Sequence, residues 1–191
     1  MTVNMADDVQ VKGTTITSTL RFLEERYGAE GVAQVVGALS ESDQKLLKDG
    51  FVDRRFYPFR VLVELMRVSK KIHSLPSDYY QQLGRASADY AMSVFLRAIF
   101  KVASPEFIIN QGAVLYGSFY TSGRIRVTGA SKGSCSLHLE RFAAPCPEFC
   151  HRVWGWSVRM LELAGGRDIK SHKVACLCNG DPACRIDATW T

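Results

Sequence analysis

The residue types best equipped for chemistry are six cysteines, all between Cys135 and Cys184, with none in the first 134 residues. Pro147 opens a helical stretch, which puts the Cys150 thiol in a first helical turn. Cys176 and Cys178 end one strand-like stretch, and Cys184 begins the next after the turn residues Asn179-Gly180-Asp181-Pro182. A hairpin brings 176 and 184 together, and a helix returning across the sheet could carry Cys150 to them. Three thiolates at such a corner need one more ligand for a closed tetrahedral zinc site. Cys178, Cys146, His151 and His172 are the candidates, and Cys135 and Cys146 read as bystanders. The competing reading is that these are small buried apolar side chains, as most free cysteines are.

Other chemistry is thinner. His138, His151 and His172 have no Ser or Cys partner with a carboxylate to orient them, so no catalytic residue is assigned and an enzyme is not expected. Cys146 and Cys150 lie near a helix N-terminus, where a thiol pKa falls, yet a structural thiol is the reading preferred. Arg54, Arg55, Arg60, Arg67, Lys70 and Lys71 form the densest basic stretch, read as a solvated helix face.

The elements that must position these groups are legible from periodicity. Ile16, Leu20, Leu23 and Tyr27 form one helical stripe, and Gly28 ends it. A second short helix is expected over 29–39, and a third is capped by Ser40 and ends near Gly50. Pro58 is expected to open the helix carrying Val61, Leu62, Leu65, Met66 and Ile72. A longer helix is expected over 78–102, and Ser104-Pro105-Glu106 starts another that runs to about 121. After Gly123 the period changes to two: Ile125 and Val127, then Cys135, Leu137 and Leu139, alternate with polar residues as a hairpin. A helix over 147–164 and a final hairpin ending in Ile186, Ala188 and Trp190 complete the pattern. The fold class is therefore α+β: a helical N-terminal part packed on a four-stranded antiparallel sheet. Residues 1–10 are expected to be a flexible N-terminus and 11–191 a single domain.

Composition sets the bounds. The 191 residues carry 24 Lys+Arg against 19 Asp+Glu and are 47% hydrophobic, ordinary values for a globular chain. The net charge of +5 has no dense basic stripe behind it, so nucleic acid is not an expected partner. There is no run of about 18 uncharged apolar residues, so no membrane association is expected. Asp7 and Asp8 sit where a signal peptide would need an apolar core, which leads to an expected cytoplasmic location with reduced thiols.

The stretch Val174-Ala175-Cys176-Leu177-Cys178-Asn179-Gly180-Asp181-Pro182-Ala183-Cys184-Arg185-Ile186 resembles the terminal hairpin of the 4-vinyl reductase domain. That domain is a small-molecule-sensing fold related to haem-nitric-oxide/oxygen-binding domains and to a vesicle-tethering subunit family. In its phenol-sensing members zinc is held by a Cys on a helix, then a Glu, a Cys and a Cys. Cys150, Cys176 and Cys184 fall at the matching spacings, whereas Lys173 stands at the Glu position. From Lys12-Gly13-Thr14 through Phe56-Tyr57-Pro58, Ser104-Pro105-Glu106-Phe107, Tyr120-Thr121-Ser122-Gly123 and Gly155-Trp156 to Trp190, the chain also resembles a paralogous myxobacterial family of unknown function.

Tyr120-x-Ser122-x-Arg124 is similar in form to the motif by which haem-nitric-oxide-binding domains hold haem propionates, since two hydroxyls and a guanidinium suit carboxylates. Haem also needs an axial ligand, and the helices expected over 78–102 and 105–121 contain no His. Haem is therefore not the expected cofactor, and zinc is the one retained. Trp154, Phe95, Phe107, Tyr116, Phe119 and Tyr120 are the candidate lining of an apolar pocket between helices and sheet. The expected function is thus a non-enzymatic sensory domain for a hydrophobic or aromatic small molecule, signalling through a homodimer or a protein partner. An adaptor domain without ligand is the second reading, and a haem-based gas sensor or an enzyme is the third.

Overall fold

In the computed structural model, which describes residues 8–91 and 104–191, the chain begins in a short strand. This strand, β1 (Gln10–Lys12), pairs antiparallel with β2 (Phe56–Pro58), although three-residue strands carry too little period to be read from sequence. Val9, inside the stretch expected to be flexible, is buried. Between β1 and β2 lie α1 (Gly13–Gly37) and α2 (Glu41–Lys48). Gly28 breaks α1 internally with φ of 67°, a conformation cheap for glycine, so the two helices expected there are halves of one kinked element. Ser40 caps α2 by accepting from the Asp43 N–H at 3.3 Å, as its spacing predicts.

Pro58 ends β2 at ψ of 128° and serves as the cap, so α3 (Phe59–Ile72) starts one residue later than expected. A loop leads to α4 (Tyr79–Ala91). The remainder of the long helix expected over 78–102, with Phe95, lies outside the described residues. Helix α5 (Pro105–Leu115) has Ser104 as its cap and Pro105 in its first turn. It stops short of 121 because Tyr116–Ser118 tighten into a single 3₁₀ turn.

The C-terminal third is β3 (Arg124–Ser131), β4 (Ser134–Glu140), α6 (Pro147–Leu163), β5 (Lys170–Ala175) and β6 (Ala183–Thr189). The four strands form one antiparallel sheet in the order β3-β4-β6-β5. The class is α+β, as the alternation predicts. The last hairpin therefore inserts β6 beside β4, placing Cys184 opposite Leu139 in mid-sheet.

Helices α4 and α6 pack with their backbones in close approach, and glycine permits it. A Cβ on Gly84 would lie 2.0 Å from the Arg152 carbonyl oxygen, and one on Gly155 would lie 2.0 Å from that of Gln81. The two backbones thus touch directly, which fixes where the inner face of α6 meets the rest of the core.

Candidate functional site

The first turn of α6 carries Cys150 down onto the sheet edge where β5 gives way to β6. Its Sγ lies 3.1 Å from Cys184 Sγ and 3.7 Å from Cys178 Sγ, and Cys184 Sγ lies 3.8 Å from Cys176 Sγ. The ligand atoms of Cys150, Cys176 and Cys178 all lie within 4.8 Å of one another. Tetrahedral zinc with Zn–S bonds of about 2.3 Å requires S···S edges of about 3.8 Å, which the Cys150–Cys178 and Cys176–Cys184 separations match, whereas Cys150 and Cys184 stand closer than that.

The surroundings favour a thiolate at Cys184 and hold the proton on Cys150 and Cys178. The Leu177 N–H donates to Cys184 Sγ at 3.3 Å, and Lys173 Nζ lies 3.5 Å from Cys176 Sγ. The Cys184 thiol is lowered to about 6, chiefly by its hydrogen bond with Cys150, whose own pKa rises in consequence. Of the four candidates for a further ligand, the structure brings only Cys178 into the cluster. His151 faces Lys173 Nζ at 3.4 Å, and His172 is exposed on β5. Burial raises the thiols of Cys135 to about 11 and Cys146 to about 12, so neither is poised to react.

A second feature is a cavity of about 290 Å³ lined by α1, α4, α5, α6 and β3. Of the aromatic residues singled out from sequence, Tyr116, Phe119 and Tyr120 stand on its wall. Phe107 is 50% exposed on α5 and does not reach it. Trp154 turns to the opposite flank, where its Nε1 donates to Ser171 Oγ at 2.9 Å. Trp156, two residues on, takes the cavity side and packs against Gly112, where a Cβ would lie 2.7 Å from the ring.

The residue that sequence reasoning missed is Arg152. It lies on the cavity wall and is 2% exposed. Its guanidinium donates to Thr19 Oγ1 at 3.0 Å, to the Thr15 carbonyl and Ser18 Oγ at 3.2 Å each, and to Ser87 Oγ. All these partners are neutral, and the ion pairs among the described residues do not include Arg152. The signal was present in the sequence: 149, 152, 153, 156 and 160 form one helical stripe, and Arg152 is its only charge.

The Tyr-x-Ser-x-Arg triplet is not held together. Tyr120 is on the cavity wall, Ser122 Oγ accepts from the Ala143 N–H at 2.9 Å, and Arg124 pairs with Glu140 at 2.8 Å. The basic stretch is partly committed too: Arg60 pairs with Asp43, and Arg67 with Glu64 and Glu148. No helix among the described residues is long and apolar enough to cross a membrane.

The fold places the chain among known structures. An H-NOX protein from S. oneidensis in the Fe(II)NO ligation state superposes with a TM-score of 0.71 at 12% identity, over 94% of this chain and 99% of that one. The Fe(II) unliganded H-NOX protein from K. algicida matches at 0.66 and 14% identity, over 94% and 96%. A structure solved to examine how protein-induced porphyrin distortion modulates haem redox potential matches at 0.63 and 12%, over 93% and 99%. No family model matches the chain, and no curated protein does.

The likeness shows a fold shared with these H-NOX structures. It also corrects two expectations, that of a pocket domain serving a non-haem ligand and that of a chain in which haem is not the cofactor. The neighbours that share this fold nearly end to end are haem proteins. The haem expectation was decided on the absence of a helical His, although haem iron is also held by sulfur or phenolate oxygen in other proteins.

Proposed function

We propose that this chain is a haem-based gas-sensing domain, with the cavity between α1, α4, α5, α6 and β3 as its haem pocket. The observation that carries the reading is this largely apolar cavity with a buried, carboxylate-free cation, set within a fold shared with H-NOX proteins. The lining fits in part. Phe119, Ile125, Val153 and Trp156 offer apolar surface to a planar macrocycle, while Tyr90, Tyr116 and Tyr120 offer oxygen donors. Among the described residues the wall holds no imidazole. When bound, the haem iron supplies a site for a diatomic gas. The protein's own contributions are exclusion of water by the apolar wall and a fixed positive charge at Arg152, whose field favours negative charge in the cavity. Titration of purified protein with ferric haem is expected to give a saturable Soret band at one haem per chain, shifted by NO after reduction. Absence of saturable binding overturns the reading.

The sulfur cluster supports a second, structural assignment: Cys150, Cys176, Cys178 and Cys184 hold one zinc ion that pins the β5–β6 hairpin to α6. The S···S distances of 3.7 and 3.8 Å support it. Lys173 would offset part of the double negative charge of a zinc tetrathiolate. Elemental analysis is expected to find one zinc per chain, lost in Cys184→Ala with a fall in thermal stability. Metal-free wild-type protein of undiminished stability refutes the assignment.

A further inference from the structure

We infer that the thiol cluster is an oxidation site for peroxides: the exposed Cys178 takes the oxidant, and the oxidation passes inward to leave a disulfide between Cys150 and Cys184. The inference concerns the same sulfurs as the zinc assignment but does not rest on it, since it describes the metal-free chain.

Position sorts the six thiols. Cys178 rides on the 3₁₀ turn Leu177–Asn179 between β5 and β6 and is exposed, whereas the other five are buried. Its Sγ lies 3.7 Å from Cys150 Sγ, so a resolving thiol stands directly behind the accessible one, the arrangement that redox-responsive cysteines require. Cys184 Sγ in turn lies 3.1 Å from Cys150 Sγ, the shortest of the three sulfur–sulfur contacts in the cluster. This pair is inside the edge of about 3.8 Å that a tetrahedral zinc site sets. A displacement of about 1 Å brings it to the bonding distance of a disulfide. The Leu177 N–H donates to Cys184 Sγ at 3.3 Å and holds that sulfur in place. Cys135 and Cys146 take part in none of these contacts.

Three steps carry the oxidation inward. The Cys178 sulfur attacks the peroxide O–O bond; its thiol proton leaves with the departing oxygen as water or an alcohol, and Cys178 becomes a sulfenic acid. The Cys150 thiol attacks the sulfenic sulfur, the S–O bond breaks, and hydroxide leaves as water with the Cys150 proton, giving a Cys150–Cys178 disulfide. Cys184 then attacks the Cys150 sulfur and displaces Cys178, which takes up the Cys184 proton and is again a thiol. One peroxide is reduced by two electrons, and two buried thiols are oxidised. Cys150 and Cys184 are 1% and 2% exposed, so the product is shielded from reductants in solvent. The bond joins β6 to the first turn of α6 across 34 residues, and α6 is the helix that carries Arg152 and Trp156 on the cavity wall.

The test is oxidation of the purified full-length protein by hydrogen peroxide in the presence of a zinc chelator, followed by mass spectrometry of the intact chain and of unreduced digests. Wild type is expected to lose about 2 Da and to yield a Cys150–Cys184 cross-linked peptide, with Cys135 and Cys146 still thiols. Cys178→Ser is expected to slow formation of that bond at least about tenfold. Cys184→Ser is expected to stop at the Cys150–Cys178 disulfide, and Cys150→Ser to leave Cys178 over-oxidised to sulfinic or sulfonic acid. Circular dichroism of each reduced variant establishes its fold before oxidation, and the wild-type digest decides the question without any variant. Wild-type protein that forms no Cys150–Cys184 linkage, or a Cys178→Ser protein that forms it at the wild-type rate, overturns the inference. Zinc content of the untreated protein is measured separately. A zinc-free chain that forms the bond counts against the metal assignment alone, and a zinc-loaded chain that fails to form it once chelated overturns the oxidation site alone.

Discussion

Replacing Gly155 with alanine tests the contact that sets the geometry of both the cavity and the thiol cluster. The added Cβ would sit 2.0 Å from the Gln81 carbonyl oxygen and 2.6 Å from its carbonyl carbon, whereas ordinary contact begins near 3.4 Å. The opposing atoms are backbone, so no rotamer change relieves the overlap. Helices α4 and α6 must instead separate by more than an ångström, a large displacement for a close-packed interior. Overpacking of this kind costs about 1–3 kcal/mol, and more where backbone is the obstacle. Alanine recovers roughly 1 kcal/mol of intrinsic helix preference, so the net loss expected is about 2 kcal/mol. For a chain of this size that lowers Tm by about 4–8 °C. Gly84→Ala, 2.0 Å from the Arg152 carbonyl, should cost a similar amount. Because either change opens the same crossing, the double variant should lose less than the sum of the two. The assay is urea denaturation of the four proteins followed by circular dichroism. A Gly155→Ala protein as stable as wild type, or more stable by its helix preference, would refute the direct backbone contact.

Two further outcomes follow from single interactions. Trp154→Phe removes the 2.9 Å bond from Nε1 to Ser171 that ties α6 to β5, and should cost about 1 kcal/mol in the same denaturation experiment, with the cavity undisturbed. His138 has its pKa depressed below the ordinary histidine value by burial, then by Arg126 and Arg185. The unfolded chain therefore binds this proton more readily, and stability present above about pH 6.5 should fall as pH drops toward the depressed value. His138→Gln should flatten that part of the pH–stability curve, and an unchanged slope would count against it.

Much of the fold was legible because local rules and tertiary packing agree. The period change after Gly123, the Ser104-Pro105 start and the Ser40 cap are local signals, and each element formed where its signal stood. The short β1–β2 pair was not legible, since three residues carry no usable period and their pairing partner lies more than 40 residues away. Within the cavity, the sequence pointed to aromatic side chains but not to which flank each would take. Trp154 and Trp156 differ by two helical positions, about 200° of rotation, so only the angle at which α6 crosses α4 decided which one faces the cavity.

By itself the sequence determined the α+β class, the clustering of all six thiols in its last third, and a charge on an otherwise apolar helical stripe at Arg152. Only the tertiary structure decided what those features face. The β4–β6 pairing and the Gly84–Gly155 crossing bring Cys150, Cys176, Cys178 and Cys184 to one corner and place Arg152 on the cavity wall. The reason is that ligand geometry depends on distances between elements far apart in the chain. Residue type and spacing constrain such distances only within one helix or one hairpin.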